Sequence, residues 1–105
     1  MHQDIDIKAF QEQFANNPTA DYVLVDVREV EEYEQGHIPG AINIPLNSVP
    51  ERMEEITKEK PVVIVCARGS RSDMAAEFLS GHGYRDLYNL VDGTLGWMMR
   101  GLPTE

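Results

Sequence analysis

Residues 61–66 read PVVIVC. Val62 to Val65 are four β-branched apolar residues in an unbroken row, and such side chains favour the extended backbone of a strand. No polar residue alternates with them. A strand of this kind is covered on both faces, which is the situation of a central strand in a parallel sheet between helices. The run YVLVDV (22–27) has the same character, and AINIP (41–45) and DLYNL (86–90) are shorter strand candidates.

The segments between them carry helical spacing. IDIKAFQEQFANN (5–17) begins with an acid that can cap, sets Ile7, Phe10 and Phe14 on one helical face, and ends at Asn17-Pro18-Thr19. VEEYEQG (30–36) reads as a short acidic helix closed by Gly36. Ser48 to Glu51 fits a capping box, followed by Val49, Met53 and Ile56 at helical spacing. Ser70 to Asp73 repeats that box and opens a helix with Met74, Ala75, Phe78 and Leu79 as its apolar residues, closed by Gly81 or Gly83. GTLGWMMRG (93–101) reads as a last helix, weakened by its glycines. Strands and helices alternate with short links, so the expectation is one α/β domain, a mostly parallel sheet with helices on both faces.

Bulk properties narrow the function classes. A chain of 105 residues with 42% hydrophobic content supports one core. A net charge of −9 argues against nucleic acid or an anionic membrane surface as partner. The acids fall mostly on helix faces, as in EVEEYE at 29–34, and read there as a solvated surface. One cysteine excludes an intramolecular disulfide, a CxxC redox pair and a CxxC zinc site. The N-terminus has no apolar signal region and no run is long enough to span a membrane, so a cytoplasmic location is the default expectation.

That cysteine, Cys66, follows the apolar run directly and precedes ARGSRS. Ligands of open α/β sheets bind beyond the carboxyl ends of the strands, and Cys66 stands at such an end. The loop N–H groups and the positive end of the following helix both favour an anion, hence the nucleophilic thiolate over the thiol. Arg68 and Arg71 add positive charge that attracts anionic donors, although Arg71 can equally serve to hold the loop. Gly69 permits the turn that aims successive N–H groups inward, and Ser70 and Ser72 can cap or donate. The alternative, a cysteine that merely fills the core, needs no such loop. Spacing then separates two chemistries. A phosphatase cradle of the C-x₅-R kind puts arginine where this chain has Ser72; here arginine comes one position earlier, at Arg71. The shorter ring suits a small anionic group on sulfur, such as a persulfide, better than a phosphoryl group.

Other polar residues invite quieter readings. Asp26 and Arg28 lie at i and i+2 on one side of a strand end, as an ion pair or as loop support. His37, within GHIPGA, reads as a turn residue bonding the backbone, His82 as a surface residue after a helix, and His2 as terminal. No histidine is placed to activate Cys66. Trp97, Met98 and Met99 read as core with exposed members, with an apolar docking rim for a protein donor or acceptor as the rival reading.

Four segments in order resemble the motifs of single-domain rhodaneses: VLVDVRE (23–29), GHIPGAINIP (36–45), VVIVCARGSRS (62–72) and LVDGTLGW (90–97). The resemblance covers about residues 5–103. It departs from the family where paired glycines are usual and Asp92-Gly93 stands instead. It implies a three-layer α/β/α domain over residues 1–105 with a sheet of about five strands. It implies a thiosulfate sulfurtransferase type of activity in which Cys66 takes a sulfane sulfur from thiosulfate or a persulfide, holds it in a cradle of N–H groups from Ala67 to Ser72, and passes it to a thiophilic acceptor. It calls for no cofactor and no metal; the partners are small sulfur donors and acceptors, with a protein donor or acceptor as a further option. A phosphatase or arsenate reductase on the same scaffold, or a non-catalytic carrier or binding module, are the competing readings.

Overall fold

The strand expected of the apolar run is β4, Val62–Val65, and all four of its residues are buried. In the computed structural model, which describes residues 1–105, β4 lies at the centre of a five-stranded sheet. The others are β1 (Gln3–Ile5), β2 (Val23–Asp26), β3 (Ile42–Asn43) and β5 (Leu87–Leu90), in the order β1-β5-β4-β2-β3. Every pairing is parallel, with Val25 opposite Ile64 and Val63 opposite Tyr88 in the central ladders.

Side-chain alternation along β4 divides the core in two. Val62, Ile64 and Cys66 join a cluster with Val49 of α3 (Val49–Arg52) and Ala75, Ala76 and Leu79 of α4 (Ser70–Ser80). Val63 and Val65 join the opposite cluster, with Ile7 and Phe10 of α1 (Ile7–Phe10), Phe14, and Trp97 of α5 (Gly93–Met99). Phe10 is fully buried and meets Trp97 edge-on with centroids 5.9 Å apart. Burying a side chain of that size stabilises by ~1.5–3 kcal/mol. Between β2 and β3 runs α2 (Val30–Glu34), whose Tyr33 packs against the second cluster.

Three local expectations change. The segment 5–17 is not one helix: Gln3–Ile5 pairs with β5 as the edge strand, Asp6 then caps α1 by accepting from the Ala9 N–H at 2.8 Å, and the chain widens into π-helical turns over Gln11–Ala15. Neither serine capping box forms. Ser48 lies within a 3₁₀ turn, and Ser70 is already helical because Gly69 takes the cap position. Of the apolar residues of α4 only Ala75, Ala76 and Leu79 are buried, together with Ser72, while Met74 is 61% exposed. Small residues there let the helix sit close to the sheet.

Candidate active site

Cys66 continues the inward-facing parity of Val62 and Ile64, so its side chain points under α4 and is only 1% exposed. The loop that follows turns at Gly69, where φ is +101° and an added Cβ would stand 2.8 Å from the Val91 carbonyl oxygen. Only glycine fits both conditions. The turn brings the Gly69 N–H to 3.1 Å from Cys66 Sγ, and the first turn of α4 brings the Ser72 hydroxyl to 3.3 Å. Burial pushes the Cys66 thiol up, but the Ser72 hydroxyl and the N–H groups of Ser72, Arg68 and Gly69 outweigh it, leaving the thiol below its ordinary value.

The carbonyls of the loop are tied away from the sulfur, which is why its N–H groups face it. The first turn of α5 donates Thr94 N–H to the Cys66 carbonyl at 2.8 Å and Leu95 N–H to the Ala67 carbonyl at 3.2 Å. Asn89 on β5 donates from Nδ2 to the Gly69 carbonyl at 3.2 Å, and its Oδ1 accepts from the Ser72 hydroxyl at 2.5 Å. Asn89 is 3% exposed. The loop pattern does not point to this residue; its signal in the sequence is a lone amide within the DLYNL strand, since a buried amide must be satisfied by something.

Arg71 and Arg68 differ. Arg71 forms a two-pronged ion pair with Glu32, Nη1 to Oε1 at 2.7 Å and Nη2 to Oε2 at 3.0 Å. The Arg71 bonds hold the Glu32 carboxyl at about 2, well below the usual carboxylate range. Glu32 also accepts from the Glu29 N–H at 2.9 Å. One acid of the run read as a solvated surface is therefore joined to the loop, and the charge of Arg71 is already answered. Arg68 is exposed and has no carboxylate partner.

Asp26 and Arg28 make the ion pair expected of their spacing. Arg28 Nη2 donates to Asp26 Oδ2 at 2.7 Å and Nε to Oδ1 at 3.0 Å, with both residues buried. Arg28 also donates to the Gly36 carbonyl at 2.9 Å, tying β2 to the end of α2. A cleft of about 230 Å³ opens beside the loop, lined by Arg28, Glu32, Gln35, Ala67, Leu95 and Met98. A second, of about 200 Å³, lies between Gln11, Tyr22, Ile38 and Trp97 and carries no thiol, imidazole or carboxylate.

The histidines stand apart from the sulfur. His37 Nδ1 lies 3.0 Å from the Tyr33 carbonyl, His82 Nδ1 lies 2.8 Å from the Phe78 carbonyl, and His2 lies 2.8 Å from Asp73, between β1 and α4. Of the apolar trio, Trp97 is core, Met98 lines the cleft and Met99 is exposed. Asp92, at the departure from paired glycines, has an ordinary helical φ of −72° and accepts from the Ile7 N–H at 2.9 Å. Gly93 has φ +69°, and a Cβ there would stand 2.1 Å from the Ala67 oxygen, so only the second glycine of that pair is required here.

Comparison with known proteins decides the family. The family model for the rhodanese-like domain matches residues 7–100. The chain belongs to the rhodanese-like family. Among its relatives is a sulfurtransferase of Allochromatium vinosum, 40% identical over 103 residues, an alignment covering 98% of this chain and 94% of that one. A putative sulfur carrier protein of Bacillus subtilis is 36% identical over 94 residues, 90% of this chain and half the length of that relative. The crystal structure of a rhodanese-related protein from Thermoplasma volcanium superposes with a TM-score of 0.86 at 30% identity, covering 98% of this chain and 97% of that one. The all-parallel five-stranded sheet with helices on both faces is thus a rhodanese-like fold. No helix is long and apolar enough to cross a membrane.

Proposed function

We propose that this rhodanese-like chain, acting as one domain, is a sulfurtransferase that carries a sulfane sulfur on Cys66. The observation that carries the reading is the setting of Sγ, which receives the Gly69 N–H at 3.1 Å and lies 3.3 Å from the Ser72 hydroxyl at the head of an eleven-residue helix. Donors that favour the thiolate ready it for attack, and the same donors suit the negative charge of a terminal persulfide sulfur. The Cys66 thiolate attacks the outer sulfur of a donor, the donor's S–S bond breaks, and its electron pair leaves with sulfite or a thiolate. A thiophilic acceptor then removes the sulfur, restoring Cys66. Ala67, Arg68, Gly69, Ser70, Arg71 and Ser72 form the binding loop, and the Asp26–Arg28 pair supports it from the neighbouring strand. A protein donor or acceptor can take the place of the small molecules. A phosphatase reading is disfavoured because Arg71, the arginine nearest the position a C-x₅-R cradle requires, is engaged by Glu32 and comes one residue early.

Incubation with thiosulfate or an alkyl persulfide is expected to add the mass of one sulfur atom to Cys66, and cyanide to remove it as thiocyanate. Cys66→Ser should do neither. Hydrolysis of an aryl phosphate with no sulfur uptake from any donor would replace this reading.

A further inference from the structure

The cleft beside the loop that follows Cys66 has two unlike walls. One is apolar, built from Ala67 of the loop and Leu95 and Met98 of α5. The other is polar, formed by Arg28, by Glu32 of α2 and by Gln35 at its end. The cations near the loop are largely spoken for. Arg28 is paired with Asp26 and Arg71 with Glu32, leaving Arg68, an exposed and therefore strongly screened charge. Glu32 remains ionised throughout the neutral range.

A dianion entering this cleft is repelled by the Cys66 thiolate, and because Glu32 cancels the charge of Arg71 it finds no uncompensated buried cation to offset that repulsion. An uncharged alkyl body escapes that cost and can lie on Leu95 and Met98. We propose that Glu32 is a specificity-determining residue, and that the cleft takes its sulfane sulfur from organic persulfides of low charge in preference to dianionic thiosulfate. This deepens the sulfurtransferase reading and rests on it. The step is Cys66–S⁻ + R–S–SH → Cys66–S–SH + R–S⁻: one S–S bond forms, one breaks, the pair leaves with the thiolate, and no outside oxidant or reductant is needed. The alkyl group R can belong to a small thiol or to a protein cysteine.

The test compares kcat/KM for transfer to cyanide from three donors: thiosulfate, the persulfide of 2-mercaptoethanol, and a persulfidated cysteine in an uncharged peptide. Both persulfides are expected to exceed thiosulfate, and whichever of the two leads identifies the small-molecule or the protein source. Glu32→Gln keeps an acceptor for Arg71 and the Glu29 N–H while removing the charge. It should raise the thiosulfate value about tenfold and change the persulfide values less than about twofold. Leu95→Ser should lower the persulfide values several-fold more than the thiosulfate value. Thiosulfate as the best donor of the unaltered protein, or equal changes for all donors in Glu32→Gln, would overturn the proposal while leaving sulfur transfer intact. Failure of every donor to add sulfur would remove the underlying reading and this one together.

Discussion

The reactivity of Cys66 is set within a few ångströms, by donors from its own loop and by burial under α4. Burial alone would make it an inert core thiol, and the hydrogen bonds reverse that. The Ser72 hydroxyl is the side-chain group beside the sulfur, and its one proton is contested by Sγ and by Asn89 Oδ1. Ser72→Ala is expected to raise the pH midpoint of Cys66 alkylation by iodoacetamide, since the thiolate loses the hydroxyl that can turn toward it. A midpoint unmoved in this variant would mean that the backbone N–H groups alone set the thiol. Asn89 acts one step further out. Its amide ties the Gly69 carbonyl and the Ser72 hydroxyl together, so it orders the two ends of the ring that faces the sulfur.

At the scale of elements, α5 and α4 clamp the loop between them. The N–H groups of Thr94 and Leu95 bind the carbonyls of Cys66 and Ala67, which requires the backbone of Gly93 to lie against Ala67. Gly93→Ala is expected to cost about 2–4 kcal/mol in urea unfolding, from the positive φ and from a Cβ placed 2.1 Å from a carbonyl oxygen, and to lower sulfur transfer with it. Asp92→Gly should cost only about 1 kcal/mol, the loss of an acceptor at the start of α1, and spare the loop. Equal damage from the two substitutions would show that the contact with Ala67 is not what matters. This contact also marks a limit of legibility. The strands β2, β4 and β5 and the helix α4 follow from local apolar pattern and punctuation, but the cap of α4 does not. A serine reads as the cap on chemistry, whereas Gly69 holds that place because the Val91 backbone leaves no room for a side chain.

Across the whole molecule, the Glu32–Arg71 pair joins α2 to α4 beside the cleft, linking segments 39 residues apart in the chain. Its depressed carboxyl makes stability pH-dependent with a definite sign. The contribution is fully present above about 4.5, the unfolded value, and is lost as pH falls toward about 2. The Glu32 side chain is 37% exposed, so solvent screening cuts the stabilisation to about 1 kcal/mol. Between pH 6 and pH 2 the unaltered protein should therefore lose about 1 kcal/mol more in urea unfolding than Glu32→Gln. The many other acids titrate alike in both proteins, so the difference isolates this pair. A difference in the opposite sense would mean that the pair costs more in desolvation than it returns.

The amino-acid sequence by itself determined the layered α/β plan, because unbroken β-branched runs between amphipathic segments can be satisfied only by a sheet covered on both faces. It also marked Cys66 and its loop, because a thiol at a strand end before a glycine turn and a helix is a local pattern. Tertiary structure alone decided the edge strand Gln3–Ile5, which is too short to declare itself and exists by pairing with β5. It alone decided which arginine is paired. Local order shows two arginines near a cysteine, but their charges differ in effect because Glu32 reaches one of them from a distant segment. Interactions between neighbours in the chain can be read from composition and spacing; those between segments brought together by folding depend on where the backbone leaves room.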